Sequence, residues 1–210
     1  MSAEPPKIVL LGDKAVGKTA SVRKFLSNEF EAEYTVTIGC DYQNAEIELE
    51  DKNGNPVSQP VCIWDIAGQS KTVQYTSVFY RGATAALVLF DLTNFETLES
   101  VAVWREMLLN NCGFDQEVPT MLLGHKCDLL SDEDQAAALE NIQTEAKKHG
   151  FNFFDITSAY TGKNIHESFE TIVKAALKFQ LEMEENDSEN EEEYVDVEEE
   201  EDSGNTGCGC

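Results

Sequence analysis

Gly12-Asp13-Lys14-Ala15-Val16-Gly17-Lys18-Thr19 fits the spacing G-x-x-x-x-G-K-[ST], which few structures other than a phosphate cradle satisfy. Glycines let the backbone turn tightly and aim N–H groups at phosphate oxygens. Lys18 adds a charge at the β/γ-phosphates, and the Thr19 hydroxyl is a hard oxygen suited to Mg²⁺. The setting agrees. Lys7-Ile8-Val9-Leu10-Leu11 is an apolar run without helical period, hence a buried strand, and Val22, Phe25 and Leu26 follow the loop at helical spacing. Strand, loop and helix are what a nucleotide phosphate site requires.

The chain of 210 residues has room for one well-cored domain and a tail. Its net charge of −25 argues against nucleic acid as a partner. Fourteen acidic residues and no Lys or Arg lie between Glu182 and Asp202, so more than half of that charge sits in one run. The division expected is a flexible N-terminus 1–6, a folded domain 7–181 and a disordered acidic tail 182–210. Of six cysteines, four are scattered singly through the domain, which suits a reducing compartment. No signal peptide or membrane span is expected, and Met1-Ser2 lacks the glycine that N-myristoylation needs.

In chain order, residues 29–39 read as a polar loop. Asp41–Glu50 alternates as a half-buried strand, and Asn53-Gly54-Asn55-Pro56 turns it into a hairpin with Val61–Trp64. Ala85–Phe90, Thr120–Leu123 and Phe151–Ile156 are further buried strands. Helices are expected from Thr93-Asn94 to about Asn110, from Ser131 to His149 with a stop at Gly150, and from Asn164 to about Glu185. The alternation predicts an α/β fold: a six-stranded, mostly parallel sheet with helices on both faces and one antiparallel edge hairpin. In such sheets ligands bind at the carboxyl ends of strands, and 12–19, 65–68, 125–128 and 157–159 each follow one.

Six segments in this order resemble those of a small GTPase, and within that superfamily a Rab. They are 12–19, Thr37-Ile38-Gly39-Cys40-Asp41-Tyr42, Trp64-Asp65-Ile66-Ala67-Gly68-Gln69, Phe79-Tyr80-Arg81-Gly82-Ala83, His125-Lys126-Cys127-Asp128 and Thr157-Ser158-Ala159. The isoleucine at 66 resembles the Rab subgroup of lysosome-related organelles. The resemblance implies a P-loop NTPase small G-domain that binds GTP and GDP with Mg²⁺. It assigns nucleotide contacts to Lys14, Ala15, Val16, Gly17, Lys18, Thr19, Ala20, Phe30, Thr37, Gly68, His125, Lys126, Asp128, Ser158, Ala159 and Tyr160. Thr19, Thr37 and, through a water, Asp65 would hold the metal, and Gln69 would orient the attacking water. Asp128 would accept from guanine N1–H and the 2-amino group, neither of which adenine presents. Lys126 would lay its stem along the base, and Ser158 and Ala159 would offer backbone N–H groups to its carbonyl. Phe30 would cover the other face of the guanine, or else serve as a core aromatic. Tyr42, Trp64 and Phe79 match positions where Rabs read out the switch, and the same residues would pack the hairpin.

Several positions depart from the pattern. Lys14 stands where the residue is usually small, either crowding the catalytic glutamine or pointing to solvent. Ser70 and Thr72 replace an acidic and an aromatic residue. His125 replaces an asparagine, and a neutral imidazole donates only one ring N–H. Losing one compensated hydrogen bond costs about 0.5–1.5 kcal/mol, so weaker nucleotide binding and faster GDP release are expected. Tyr160 stands where lysine is common.

Cys208-Gly209-Cys210 resembles a double geranylgeranylation signal, and two lipid chains anchor where one is marginal. The acidic tail cannot attract anionic lipid. The expected molecule is a monomer cycling between cytoplasm and the cytoplasmic face of endomembranes. It would meet effectors, an exchange factor, a GTPase-activating protein and a lipid-shielding chaperone through 30–42 and 64–83. Two rivals are a GTP-binding interaction module with negligible hydrolysis, which Lys14 favours, and a Ran-like transport GTPase, which the acidic tail favours. An ATP-using enzyme is opposed by Asp128.

Overall fold

The computed structural model describes residues 4–31, 35–50, 53–68 and 78–202, with side chains as far as 186. Strands β1 (Lys7–Leu11), β2 (Cys40–Glu50), β3 (Pro56–Ile66), β4 (Ala85–Asp91), β5 (Thr120–His125) and β6 (Phe153–Thr157) form one sheet. The strand order is β2-β3-β1-β4-β5-β6. Among the described strands only the β2–β3 hairpin is antiparallel, at the sheet edge. This is the α/β architecture that the strand–helix alternation predicts.

Alternation along β1 sends Ile8 and Leu10 to one face and Val9 and Leu11 to the other. The first face is covered by α1 (Lys18–Ser27) and α5 (Ile165–Asp202), through Val22, Phe169, Ile172, Val173 and Ala176. The second is covered by α3 (Val101–Asn111) and α4 (Asp132–His149), through Trp104, Leu108, Ile142 and Ala146. Strands buried on both sides need unbroken apolar runs, and β4 is fully buried over all its residues.

The ends of α4 follow local rules. Ser131 Oγ accepts the Asp134 N–H at 3.2 Å, and Gly150, at φ +74°, closes the last turn. Two helices differ from expectation. The one expected from Thr93-Asn94 to Asn110 is split into α2 (Glu96–Glu99) and α3, which meet at Ser100. Asn94 still opens it, its Oδ1 accepting the Glu96 N–H at 3.2 Å. The final helix runs past Glu185 to Asp202, through the run expected to be disordered. No Gly or Pro interrupts 165–202, and glutamate is a good helix former. Among the side chains described in this helix, Met183 is the last that packs against the core.

Removing a ring from the α5 core should outweigh removing a cap. Phe169→Ala should lower unfolding free energy by about 3–5 kcal/mol and Ser131→Ala by about 1 kcal/mol. Urea titration of the full chain, with m unchanged in both variants, checks this.

Candidate functional site: a nucleotide cradle at the strand ends

The loop after β1 wraps around a buried cation. Lys18 is 6% exposed, and its Nζ donates to the Gly12 and Asp13 carbonyls, each at 2.8 Å. Burial pulls its pKa down to about 8, against the raising influence of Asp65 and Asp13. Gly12, at φ +135°, presses the main chain so close to β4 that a Cβ would lie 2.2 Å from the Leu89 carbonyl oxygen. Lys14, Ala15, Gly17, Lys18, Thr19 and Ala20 line one cavity of about 270 Å³, together with Thr37, Gly68 and Lys126. Val16 instead turns into the core beneath it. Lys14 is exposed at the rim of this cavity.

At its floor three oxygen groups meet. Thr19 Oγ1 donates to Asp65 Oδ2 and lies 2.9 Å from Thr37 Oγ1. Asp65 is 3% exposed, and its Oδ1 has no hydrogen-bond partner. Burial raises its pKa, opposed by the Thr19 bond and by Lys18. A buried carboxylate oxygen without a donor is costly, and it is explained if the site is built for a hard cation. Two hydroxyls and a carboxylate fit Mg²⁺ in ligand type.

A second cavity, about 350 Å³, is lined by Gly17, Ala20, Phe30, His125, Lys126, Asp128, Leu129, Ala159 and Tyr160. Phe30 and Tyr160 meet edge to face at 5.4 Å and make its aromatic wall. Asp128 Oδ1 accepts the Ser158 hydroxyl proton, which fixes the carboxylate. Lys126, at φ +65°, donates from Nζ to Asp91 Oδ2 at 2.6 Å and borders both cavities. Burial pushes Asp91 up, but its bonds from Lys126 and Thr93 outweigh that and leave its pKa lowered.

Ser158 enters the site differently from expectation. Its backbone N–H donates to the Lys163 carbonyl at 3.1 Å, so its contribution is the hydroxyl on Asp128. Ala159, unlike Ser158, lines the second cavity.

His125 ends β5 and is paired in register with Asp91 on β4 and Thr157 on β6. Its Nδ1 lies 2.8 Å from Thr157 Oγ1. Thr157 is fully buried, and among the described residues this nitrogen is its hydroxyl's partner. Satisfying the hydroxyl proton makes Nδ1 the acceptor and puts the ring proton on Nε2, a tautomer assigned from the bonding pattern. That edge abuts Gly17, where a Cβ would lie 2.2 Å from Cδ2 and 2.6 Å from Nε2. Burial, with Lys126 nearby, drives the imidazole pKa down to about 4.

Tyr42 stacks on Trp64 at 5.3 Å, and Trp64 lies 6.2 Å from Phe79, so the expected aromatic triad is contiguous. Gln69, Ser70, Thr72, Cys208 and Cys210 lie outside the described residues. Sequence reasoning missed Leu129 in the second cavity, and Arg23 and Glu31, an ion pair lining the first. Arg23 falls one helical turn after Thr19, which is the signal that would have found it.

The sequence model of the Ras family matches residues 7–178. The chain belongs to that family of small GTPases. The Ras-related protein RABA5b of Arabidopsis thaliana is 38% identical over 168 residues, 80% of this chain and 73% of the relative. RABA5d of the same plant is 38% identical over 168 residues, 80% and 72%, and Rab11A of Lotus japonicus 34% over 167 residues, 80% and 70%. Within the Ras family this is a Rab-family small GTPase.

The His125 pKa carries a sign. With the folded value near 4 and the unfolded value near 6.5, the unfolded chain binds more protons between these limits, so stability falls as pH drops through them. Between pH 7.5 and 5 this group should remove about 2 kcal/mol. Urea titrations at both pH values should show His125→Asn losing that much less than wild type.

Proposed function

We propose that this chain is a guanine-nucleotide switch of vesicle traffic, which binds GTP and GDP with Mg²⁺, hydrolyses GTP slowly and recruits effectors in the GTP state. The observation that carries the proposal is the Thr37–Thr19–Asp65 set with its unpartnered Oδ1. It ties the loop before β2 to the helix after the phosphate loop and to the end of β3, so one ligand would order all three. Mg²⁺ bound there would offset phosphate charge. Lys18 and the main-chain N–H groups of 14–19 would hold the phosphates, with Thr37 and Gly68 answering to the third. Gln69 would orient the attacking water.

In the base cavity Asp128, held by Ser158, would accept from guanine N1–H and the 2-amino group. Adenine would leave that buried carboxylate unpaired. Lys126 would border the base, with Phe30 and Tyr160 as its aromatic wall and Ala159 offering an N–H to its carbonyl. His125 would present one donor where an asparagine presents several.

Val36 (48% exposed), Ile38 (90%) and Val78 (67%) are exposed apolar residues in the segments that carry Tyr42 (58%) and Phe79 of the aromatic triad. Such surface suits effectors, an exchange factor, a GTPase-activating protein and a lipid-shielding chaperone. Among the described residues no helix is long and apolar enough to cross a membrane. Geranylgeranyl groups on Cys208 and Cys210 would hold the monomer on endomembranes, with 7–181 as the GTPase domain and the acidic run as a spacer. A second reading, a GTP-binding module with negligible hydrolysis, is favoured by Lys14 at the rim of the phosphate cavity beside Gly68.

Phosphate release from pre-bound GTP, followed over hours on the full chain, separates the two. A slow turnover that Gln69→Leu reduces by about tenfold or more supports the switch, and the same baseline in both supports the module. In parallel, His125→Asn should slow GDP dissociation by about threefold to tenfold, the worth of one recovered hydrogen bond. An unchanged dissociation rate would show that the imidazole does not limit nucleotide retention.

A further inference from the structure

Asp13 puts a carboxylate in the loop proposed to receive phosphates, where it would repel the ligand if it faced it. The structure turns it away from the cavity. Its Oδ1 accepts the indole N–H of Trp104 at 2.8 Å, and its Oδ2 accepts the Ser100 hydroxyl at 2.8 Å. Trp104 is 3% exposed and belongs to α3, and Ser100 is the residue at which α2 gives way to α3. The break in the helix therefore falls at a residue that bonds the phosphate loop.

The Asp13 main chain faces the other way. Its carbonyl accepts from Lys18 Nζ at 2.8 Å. It also fills the space where Gly68 would carry a side chain, since a Cβ there would lie 2.4 Å from Asp13 C and 2.5 Å from Lys14 N. One residue thus joins the α2–α3 junction to the lysine of the phosphate site and to the glycine at the end of β3. A charged acceptor with two neutral donors is among the stronger hydrogen-bonded arrangements available to a side chain.

We propose that Asp13 is a positioning residue: anchored by Trp104 and Ser100, it sets the place of Lys18 and Gly68, so that the α2–α3 junction governs how tightly nucleotide is held. The inference rests on the nucleotide-switch reading above. Releasing the anchor removes no phosphate-facing side chain but lets the Asp13 carbonyl, and with it the Lys18 ammonium, drift from its place.

The test is dissociation of a fluorescent GDP analogue from the full-length chain in saturating Mg²⁺. Asp13→Ala and Trp104→Phe, which keeps the aromatic packing and removes the N–H, should each speed release by about fivefold. The double variant should exceed the faster single by less than about twofold, because both remove one interaction. Asp13→Asn, which retains one acceptor oxygen, should recover part of the loss. In a Trp64→Phe background, Trp104 emission should differ between GDP-loaded and EDTA-stripped protein, and Asp13→Ala should abolish that difference. Release within about twofold of wild type in both singles, or independent addition of their effects, overturns the proposal. If Trp104→Phe does not fold, Ser100→Ala and Asp13→Asn decide by the same criterion. A wild-type chain that never retains the labelled GDP overturns the switch reading, and this inference with it.

Discussion

The buried ammonium of Lys18 is the interaction on which the rest of the site depends. Taking that charge out of water is unfavourable by several kcal/mol, and the two carbonyls of Gly12 and Asp13 offset it only if the main chain curls completely around it. That curl needs positive φ at Gly12 and Gly17 and close passage beside Leu89. It can start only from a central strand whose end is open, and it leads directly into α1. Because β1 lies beside β3, the end of β3 brings Asp65 and Gly68 to the same cation and its cavity.

Asp65 shows how the fold keeps a group in readiness. Its carboxylate is withdrawn from water at the end of β3 with one oxygen bonded by Thr19 and the other unpartnered. Thr37 reaches the same hydroxyl from between the exposed Val36 and Ile38. A site whose polar valences are incomplete in the protein alone is chemically suited to completion by a bound cation.

Much of this site was legible in the sequence because its chemistry is written in consecutive residues. The glycine spacing of 12–19, the Lys126–Asp128 segment and the Thr157–Ala159 segment each lie on one short loop after a recognisable strand. Their convergence follows from parallel topology, which sends all carboxyl ends to one edge. Contacts between segments were less legible. Nothing local in Ser158 says that its N–H belongs to Lys163 and its hydroxyl to Asp128. The split at Ser100 was equally hidden, since Thr93-Asn94 to about Asn110 reads as one helix and the hydroxyl's partner lies 87 residues away. Arg23 and Glu31 pair across a helix end that composition alone leaves as surface charge.

By itself, then, the sequence determined the strand–loop–helix unit, the class of sheet, and the short segments whose residues line the two cavities. It did so because backbone conformation at glycines and the periodicity of apolar residues are local properties. Only the tertiary structure decided which proton His125 carries, which oxygen of Asp65 is left without a donor, and where the Asp13 carboxylate points. Those depend on Thr157, Thr19 and Trp104, brought into contact by the sheet and the helix layer from distant parts of the chain. Hydrogen bonds have reach of about 3 Å and no memory of sequence separation, so their partners are fixed only once the chain has folded.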